Sequence, residues 1–408
     1  MKSPKILLIG IGGVYNYGCE AIVRGTEIIV RSEYPDANIV YASHRVTDDC
    51  KMLEGSQVQV IERGRFKRYS LKNICRKLLT LAGIKWCPMV DSLGLVEGVD
   101  AVFSIGGDIY TLAPNGGYSM SFPKFGDAVR KRGIPYVLWG ASVGPFTTNL
   151  KAEKAYTKHL KGLSLITARE AATVDYLRTL GISANVVSCA DPAYVVAPEI
   201  KAAGIRQGSK FTIGINLSPL SVSYTDQAED DVIHAQAKTI EGLIKIFDAR
   251  IVLIPHVVTD FSESDDDLRY LCKIQKAVAF EYQGSLTLLA SDLGFVGTKK
   301  ELIKCDLVIA ARMHCAINAL AAQVPTILIA YSQKAVGMCQ YVYGNGDWVL
   351  PLNMFTQEGV IEKKVRSIKD QEVKIRYYLS KRIPEIQQEA YRPLARLKKV
   401  LRCNIHQG

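Results

Sequence analysis

Short apolar runs alternate along the chain with stretches of helical periodicity. Lys5–Ile9, Asn38–Ala42, Ala101–Ile105, Tyr136–Trp139, Leu163–Thr167 and Val186–Ser188 are each 3–5 residues of mostly apolar sequence; several run directly into glycine, and the last soon reaches Asp191-Pro192. Between them, Glu20–Arg31 carries Ile22, Val23, Thr26, Ile29 and Val30 on a 3.6-residue period, and Glu170–Leu180 ends at Gly181, a C-cap residue. The same grammar returns later: Phe211–Asn216, Ile251–Pro255, Asp306–Ala310 and Thr326–Ala330 predict strands, with helices near 228–247 and 315–322. Strands apolar on both faces with helices between them predict parallel sheets covered on both sides.

With 408 residues, the chain is too long for one ordinary hydrophobic core. The expected fold class is α/β: two Rossmann-like, doubly wound domains facing across a cleft. The expected division is a first domain at 1–196, a linker at 197–210, a second domain at 211–350 and a basic helical tail at 351–408 packing back on the first domain. The linker, APEIKAAGIRQGSK, combines Pro, Gly and charge without periodicity.

Hydrophobic residues at 48% and charged residues at 22% exclude a disordered chain. No apolar run approaches the ~20 residues that span a bilayer, and the first apolar run, Ile6–Ile9, is too short for a signal peptide. None of the ten cysteines forms a Cys-x-x-Cys pair, so reduced cytosolic thiols are expected rather than a zinc or redox site.

Net charge changes the picture more. Of the overall +11, residues 62–85 hold eight basic residues against one acid, and residues 362–408 hold thirteen against five. The rest of the chain is slightly acidic, which does not suit a nucleic-acid binder, and no aromatic-studded basic motif accompanies the charge. Leu71, Ile74, Leu78, Leu79 and Leu81 lie among Lys72, Arg76 and Lys77, and Leu394, Leu397 and Leu401 among Arg396, Lys398, Lys399 and Arg402. Such stretches lie on an anionic membrane surface or pack as helices on their own domain.

In open α/β sheets ligands bind beyond the carboxyl ends of the strands. At such ends stand Gly12–Gly18 with Asn16, Gly106–Asp108, Ser142–Pro145, Arg169, Asp191, His256, Arg312 with His314, and Tyr331 with Lys334. Gly10-Ile11-Gly12-Gly13-Val14-Tyr15 lacks the third glycine of a dinucleotide fingerprint, and there is no Gly-Lys-Ser/Thr loop. Arg169, Arg312, His314 and Lys334 on facing rims suit a small ligand of several negative charges, with Arg as a fork and Lys as a point charge.

These residues resemble the polysaccharide pyruvyl transferase family over roughly residues 5–345. The resemblance rests on GGVYNYGCEAI, FSIGGDIYT, VLWGASVGPF, ITAREAATVDYLRTLGI, CADPAY, LIPHV and IAARMHCAINALAAQVPTILIAYSQK. Its most specific part is the Arg312-x-His314 pair followed by Lys334, twenty residues after the histidine. The family is similar to GT-B glycosyltransferases in its two Rossmann-like domains and transfers a pyruvyl group from phosphoenolpyruvate onto a sugar, forming a ketal and releasing phosphate. The resemblance implies phosphoenolpyruvate binding by Arg169, Arg312, His314 and Lys334, with Arg312 and His314 catalytic. Asn16, Glu20, Asp108, Ser142 and His256 are the acceptor-side candidates. Many relatives carry Asp after the Asn-x-Gly of the first loop, where this chain has Cys19 and then Glu20.

The expected partners are phosphoenolpyruvate, a glycan or lipid-linked saccharide, and an anionic membrane surface; no nucleic acid, metal or cofactor is expected. The expected location is cytoplasmic, peripheral on the inner face of the plasma membrane. Two other classes share parts of this pattern. A nucleotide-sugar glycosyltransferase would want a ribose-binding carboxylate of Glu-x7-Glu type, which the second half lacks. An idle scaffold would have no use for four cation and imidazole groups at strand ends.

Overall fold

The computed structural model describes residues 3–64, 78, 88–113, 115–202, 204, 210–331 and 333–405. The basic stretch at 62–85 lies mostly outside the described residues, as do 203 and 205–209 of the expected linker.

The chain divides into two compact units. The first contains Met1–Gly13, Ile22–Pro192 and Glu389–Gly408; the second contains Val14–Ala21 and Ala193–Gln388. Seven strands form the first sheet: β1 (Lys5–Ile9), β2 (Asn38–Ser43), β3 (Gln59–Glu62), β4 (Ala101–Ile105), β5 (Tyr136–Ala141), β6 (Leu165–Ala168) and β7 (Val186–Ser188). Their order is β3-β2-β1-β4-β5-β6-β7, and every pair is parallel. The second sheet is built from β8 (Thr212–Asn216), β9 (Arg250–Leu253), β10 (Leu286–Leu288), β11 (Leu307–Ala310), β12 (Thr326–Ala330) and β13 (Val349–Pro351), in the order β10-β9-β8-β11-β12-β13, again all parallel. Each sheet therefore reverses its winding once, between β1 and β4 and between β8 and β11. At such switch points the loops on the two sides diverge and leave a crevice.

Parallel neighbours need a crossover, and the helices supply it. In chain order these are α1 (Tyr17–Glu33), α2 (Val46–Met52), α3 (Ser121–Lys131), α4 (Leu150–Lys161), α5 (Ala171–Thr179), α6 (Leu220–Ser223), α7 (Glu229–Phe247), α8 (Asp267–Ala277), α9 (Gly294–Leu302), α10 (Met313–Ala321), α11 (Gln333–Tyr343), α12 (Val360–Asp370), α13 (Glu372–Glu389) and α14 (Leu394–Ile405). The first core is formed by alternate strand residues such as Leu7, Ile9, Val102, Leu138 and Ile166, all buried against helix residues including Phe125, Tyr156, Leu160 and Leu177. Gly10 closes β1 with φ of 140°, and a Cβ there would stand 2.1 Å from the carbonyl oxygen of Ile105. Only glycine lets β1 and β4 end this close together.

The expected central strands are present within a few residues of their predicted ends. β9 stops at Leu253, short of Pro255, whose nitrogen has no hydrogen to donate to a ladder. The edge strands β3, β10 and β13 had no signal, because three- or four-residue strands with exposed positions show neither a continuous apolar run nor a clean alternation.

The tail divides between the two units. Helix α14 packs on the first unit: Leu397 and Leu401 are buried, Lys398 pairs with Glu33 at 2.6 Å, and Arg396 donates to the carbonyl of Ala184 at 3.0 Å. Burying a leucine contributes about 2 kcal/mol, so its apolar stripe serves the fold. Helix α13, in the second unit, buries Ile375, Leu379, Ile383 and Ile386 and leaves Val373, Lys374, Tyr377, Tyr378 and Lys381 exposed. No helix among the described residues is long and apolar enough to cross a membrane.

Candidate functional site

The second unit's switch point lies where β8 and β11 end side by side, with Ala310 in register with Asn216. Arg312 follows as the N-cap of α10, and its N–H donates to Asn216 Oδ1 at 2.7 Å. Asn216 Nδ2 in turn donates to the carbonyl of Ile254, beyond β9, at 2.8 Å. One buried amide thus ties together the ends of three adjacent strands.

The guanidinium of Arg312 is held by carboxylates. Its Nε and Nη2 donate to Asp267 Oδ1 at 3.1 and 2.9 Å, and Nη2 also reaches Asp265 Oδ1 at 2.8 Å and the Asp265 carbonyl at 3.0 Å. Asp267 is fully buried; its Oδ2 accepts the backbone N–H groups of His256 and Val257 at 3.0 and 3.1 Å and Asn216 Nδ2 at 3.4 Å. Burial raises the Asp267 pKa, and Arg312 and these N–H groups only partly offset it. Burial pulls the other way on Arg312, yet the two aspartates outweigh it and keep the guanidinium charged.

His314 stands in the first turn of α10, half-buried. Its ring is covered by Gly18, where a Cβ would lie 2.3 Å from His314 Nδ1. Gly18 reaches it because Val14–Ala21, although it follows β1, belongs to the second unit. Asn16 and Val257 form an antiparallel bridge, the Tyr17 N–H donates to the His256 carbonyl at 3.0 Å, and the Val258 N–H donates to the Tyr15 carbonyl at 3.1 Å. Asn16 Oδ1 accepts the Gly18 N–H at 2.9 Å and so caps the start of α1. Glu20 is buried, and its Oε2 accepts the Phe295 N–H at 2.6 Å in the first turn of α9. That places negative charge at a helix N-terminus. Both acceptor-side candidates in this loop are therefore engaged in anchoring it.

His256 is buried too. Its ring meets those of Tyr17 and Phe295 edge-on at 5.5 and 5.8 Å, and Nε2 has no hydrogen-bond partner among the described residues. Burial first, and then His314 and Arg312, push its pKa well below the ordinary histidine value. Lys334 lies in the first turn of α11, at the end of β12 beside β11. Tyr331 stacks on Tyr224 at 5.3 Å, and burial pushes its pKa up to about 12.

The remaining expected residues lie in the first unit. Arg169 follows β6; its Nη1 donates to Asp191 Oδ2 at 2.6 Å and its Nε to Ser142 Oγ at 3.3 Å. Ser142 Oγ donates to Glu170 Oε1 at 2.6 Å. Gly107 lets the guanidinium lie against the loop after β4, since a Cβ there would be 2.3 Å from Arg169 Nη2. Desolvation lowers the Arg169 pKa, but Asp191, Glu170 and Asp108 raise it further. Asp108 itself is exposed.

Asn16, Glu20, His256, Arg312, His314 and Lys334 therefore belong to one unit, and Asp108, Ser142 and Arg169 to the other. Asp191, which holds Arg169, was among the strand-end residues read from the sequence; what that reading left out is Asp265 and Asp267, the carboxylates that hold Arg312. For Arg312 a signal existed: Ser262-Glu263-Ser264-Asp265-Asp266-Asp267 follows closely on LIPHV, an acidic run placed at a strand end. Among the described residues no three His, Cys, Asp or Glu side chains group as a metal-binding set.

In overall structure the chain is similar to sucrose-phosphate synthase from Thermosynechococcus elongatus (TM-score 0.59, 9% identity, covering 100% of both chains). It is similar also to the S. aureus MnaA structure with UDP (TM-score 0.57, 12% identity, 93% of this chain and 91% of that one). The UDP-GlcNAc 2-epimerase from Neisseria meningitidis gives a TM-score of 0.54 at 11% identity, over 99% and 100% of the two chains. At such identities the likeness shows the fold alone, which is GT-B-like with two Rossmann-like units. No curated protein matches the sequence. A match to the family described as polysaccharide pyruvyl transferase extends over residues 16–333, from the Asn16 loop to the start of α11. With well over half of the chain matched, this protein belongs to the polysaccharide pyruvyl transferase family.

Proposed function

We propose that the protein transfers a pyruvyl group from phosphoenolpyruvate to two hydroxyls of a sugar in a polysaccharide precursor. The observation that carries this reading is the Arg312–His314 pair at the β8/β11 switch point, inside the matched family region. Phosphoenolpyruvate brings a phosphate and a carboxylate close together, and its binding demands fixed donors of positive charge.

The reaction needs one proton delivered to the methylene carbon C3, which leaves C2 electron-poor. One sugar hydroxyl adds to C2, the bond from C2 to the phosphate oxygen breaks, and a second hydroxyl closes the ketal. Of the two hydroxyl protons, one returns to the acid and one leaves with phosphate. His314 is the proton donor in this scheme, because it is half-buried beside Arg312, whereas buried His256 is held neutral. Arg312 and Lys334 receive the donor's anionic groups and stabilise the departing phosphate. Arg169, whose guanidinium Asp191 orients in the first unit, is a further cation within the matched family region.

A lipid-linked acceptor on the cytoplasmic leaflet gives the basic helices a purpose. Exposed Val373, Tyr377 and Tyr378 among Lys374 and Lys381 on α13 suit an anionic bilayer surface. Attraction there is electrostatic and reversible, since the apolar stripe of α14 is already buried.

The test is phosphorus NMR with phosphoenolpyruvate and a lipid fraction supplying acceptors, with the His314→Ala variant alongside. Phosphate release by the wild type, with pyruvyl mass added to the lipid, is the expected result, and the variant should lose most of kcat while still binding the donor. Undiminished turnover in the variant removes His314 from its role. Binding of a uridine diphosphate sugar in place of phosphoenolpyruvate would favour a glycosyltransferase.

A further inference from the structure

Two carboxylates reach the Arg312 guanidinium, and they differ in kind. Asp267 is fully buried and holds five hydrogen bonds that also fix Asn216 and the His256–Val257 backbone. Asp265 lies in a single 3-10 turn, Glu263–Asp265; its side chain is 37% exposed, and its carboxylate accepts from Arg312 Nη2. Nη2 carries two hydrogens yet faces three acceptors: Asp267 Oδ1, Asp265 Oδ1 and the Asp265 carbonyl. All three cannot be served in full at once, and the acceptor cheapest to release is the one water can take over. That is the Asp265 carboxylate.

The rest of the acidic run is committed elsewhere. Glu263 pairs with Arg269, and Asp266 Oδ1 accepts the Leu268 and Arg269 N–H groups as the N-cap of α8. Asp265 is thus set apart as the exposed negative group on the arginine that, on the function proposed above, receives the donor.

We propose that Asp265 is an internal stand-in for the donor's anion. Its carboxylate occupies Arg312 Nη2 in the ligand-free protein and is displaced when a phosphate or carboxylate oxygen of phosphoenolpyruvate takes that position. Asp267 stays bound and keeps the fork aimed. Asp265 therefore acts through Arg312 as a positioning residue that sets donor affinity. A partly buried arginine is never left without a partner, and a bound donor must win it from a competitor tethered beside it.

The consequence runs against the usual expectation that removing a site residue weakens binding. An ion pair this exposed is worth roughly 0.2–1 kcal/mol, so Asp265→Ala and Asp265→Asn should bind phosphoenolpyruvate about 1.5- to 5-fold more tightly than the wild type. The measurement is isothermal titration calorimetry of the full chain with phosphoenolpyruvate, repeated with inorganic phosphate, and with thermal melting of each variant to verify folding. Asp267→Asn should do the opposite. Its single amide oxygen goes to the buried His256 and Val257 N–H groups, turning the NH2 towards the guanidinium and releasing the fork. A third comparison separates a role through Arg312 from a merely structural one: in an Arg312→Ala background, Asp265→Ala should give no tightening.

Tighter binding in both Asp265 variants that vanishes without Arg312 supports the proposal. Equal or weaker binding in folded Asp265 variants overturns it while leaving the donor assignment intact, as does tightening that persists without Arg312. Absence of phosphoenolpyruvate binding in the wild type and in both variants overturns the donor assignment and this proposal together.

Discussion

Replacing Gly18 by alanine adds one methyl group at the point where the N-terminal loop covers the His314 ring. The added carbon would lie 2.3 Å from Nδ1, 2.4 Å from Cγ and 2.8 Å from the His314 Cβ. Ordinary contact begins near 3.4 Å, so ring and loop must separate by about 1 Å. The neighbour is the near end of a side chain rooted in α10, so it cannot swing aside as a long flexible chain would. A shift of about 30° off a rotamer costs about 1 kcal/mol. Against that, alanine is favoured over glycine in a helix by up to about 1 kcal/mol, and Gly18 is the second residue of α1. Stability should therefore change little. Catalysis should not be spared, because a displacement of about 1 Å of a reacting group can cost about 100-fold in rate, or about 2.7 kcal/mol of barrier. The assay is initial-rate phosphate release at saturating donor, with melting temperatures measured in parallel. A double-mutant cycle with His314→Ala isolates the contact: once the ring is gone, Gly18→Ala should cost almost nothing more. A folded Gly18→Ala enzyme with wild-type kcat would refute the reasoning.

Two further outcomes follow from the geometry. Burial holds folded His256 neutral, so the unfolded chain takes up a proton near pH 6.5 that the folded chain refuses. Its contribution to stability is whole above that pH and is lost as the pH falls below it, by up to about 1.4 kcal/mol per unit. Denaturant melts at neutral and mildly acidic pH should show a steeper loss for wild type than for His256→Phe, and equal losses would refute the buried neutral imidazole. If α13 is drawn to a membrane by charge, sedimentation with anionic vesicles should fall as salt is raised and should weaken in Lys374→Glu/Lys381→Glu. Salt-insensitive or absent binding would leave these lysines as ordinary surface groups.

Much of the fold was legible in the order of residues because its determinants are local. Runs such as LVIA and TILIA, buried on both faces, identify interior strands of a parallel sheet, and a helical period between them identifies the crossover. Arg312 and His314 were legible for the same reason. A strand that stops in an α/β sheet presents its next few residues to a ligand, and the offset between arginine and histidine places both at the first turn of α10. The chemistry proposed for them comes from the family resemblance and not from their position.

What lay beyond the sequence depends on groups distant along the chain. Val14–Ala21 reads as the turn after β1, yet its hydrogen bonds go to residues 256–258, and these bring Gly18 onto His314. The apolar stripe of α14 reads equally as a membrane face or a packed one, and only the surface of the first unit that buries Leu397 and Leu401 decides between them. Asp265 and Asp267 carry no periodic signal. Their meaning comes from an arginine more than forty residues later. Sequence alone determined which segments become strands and helices and which residues stand at their ends, since backbone propensity and burial patterns act over a few residues. Tertiary structure decided which charges are spent on one another, because an ion pair is set by distance in space, to which separation along the chain is no guide.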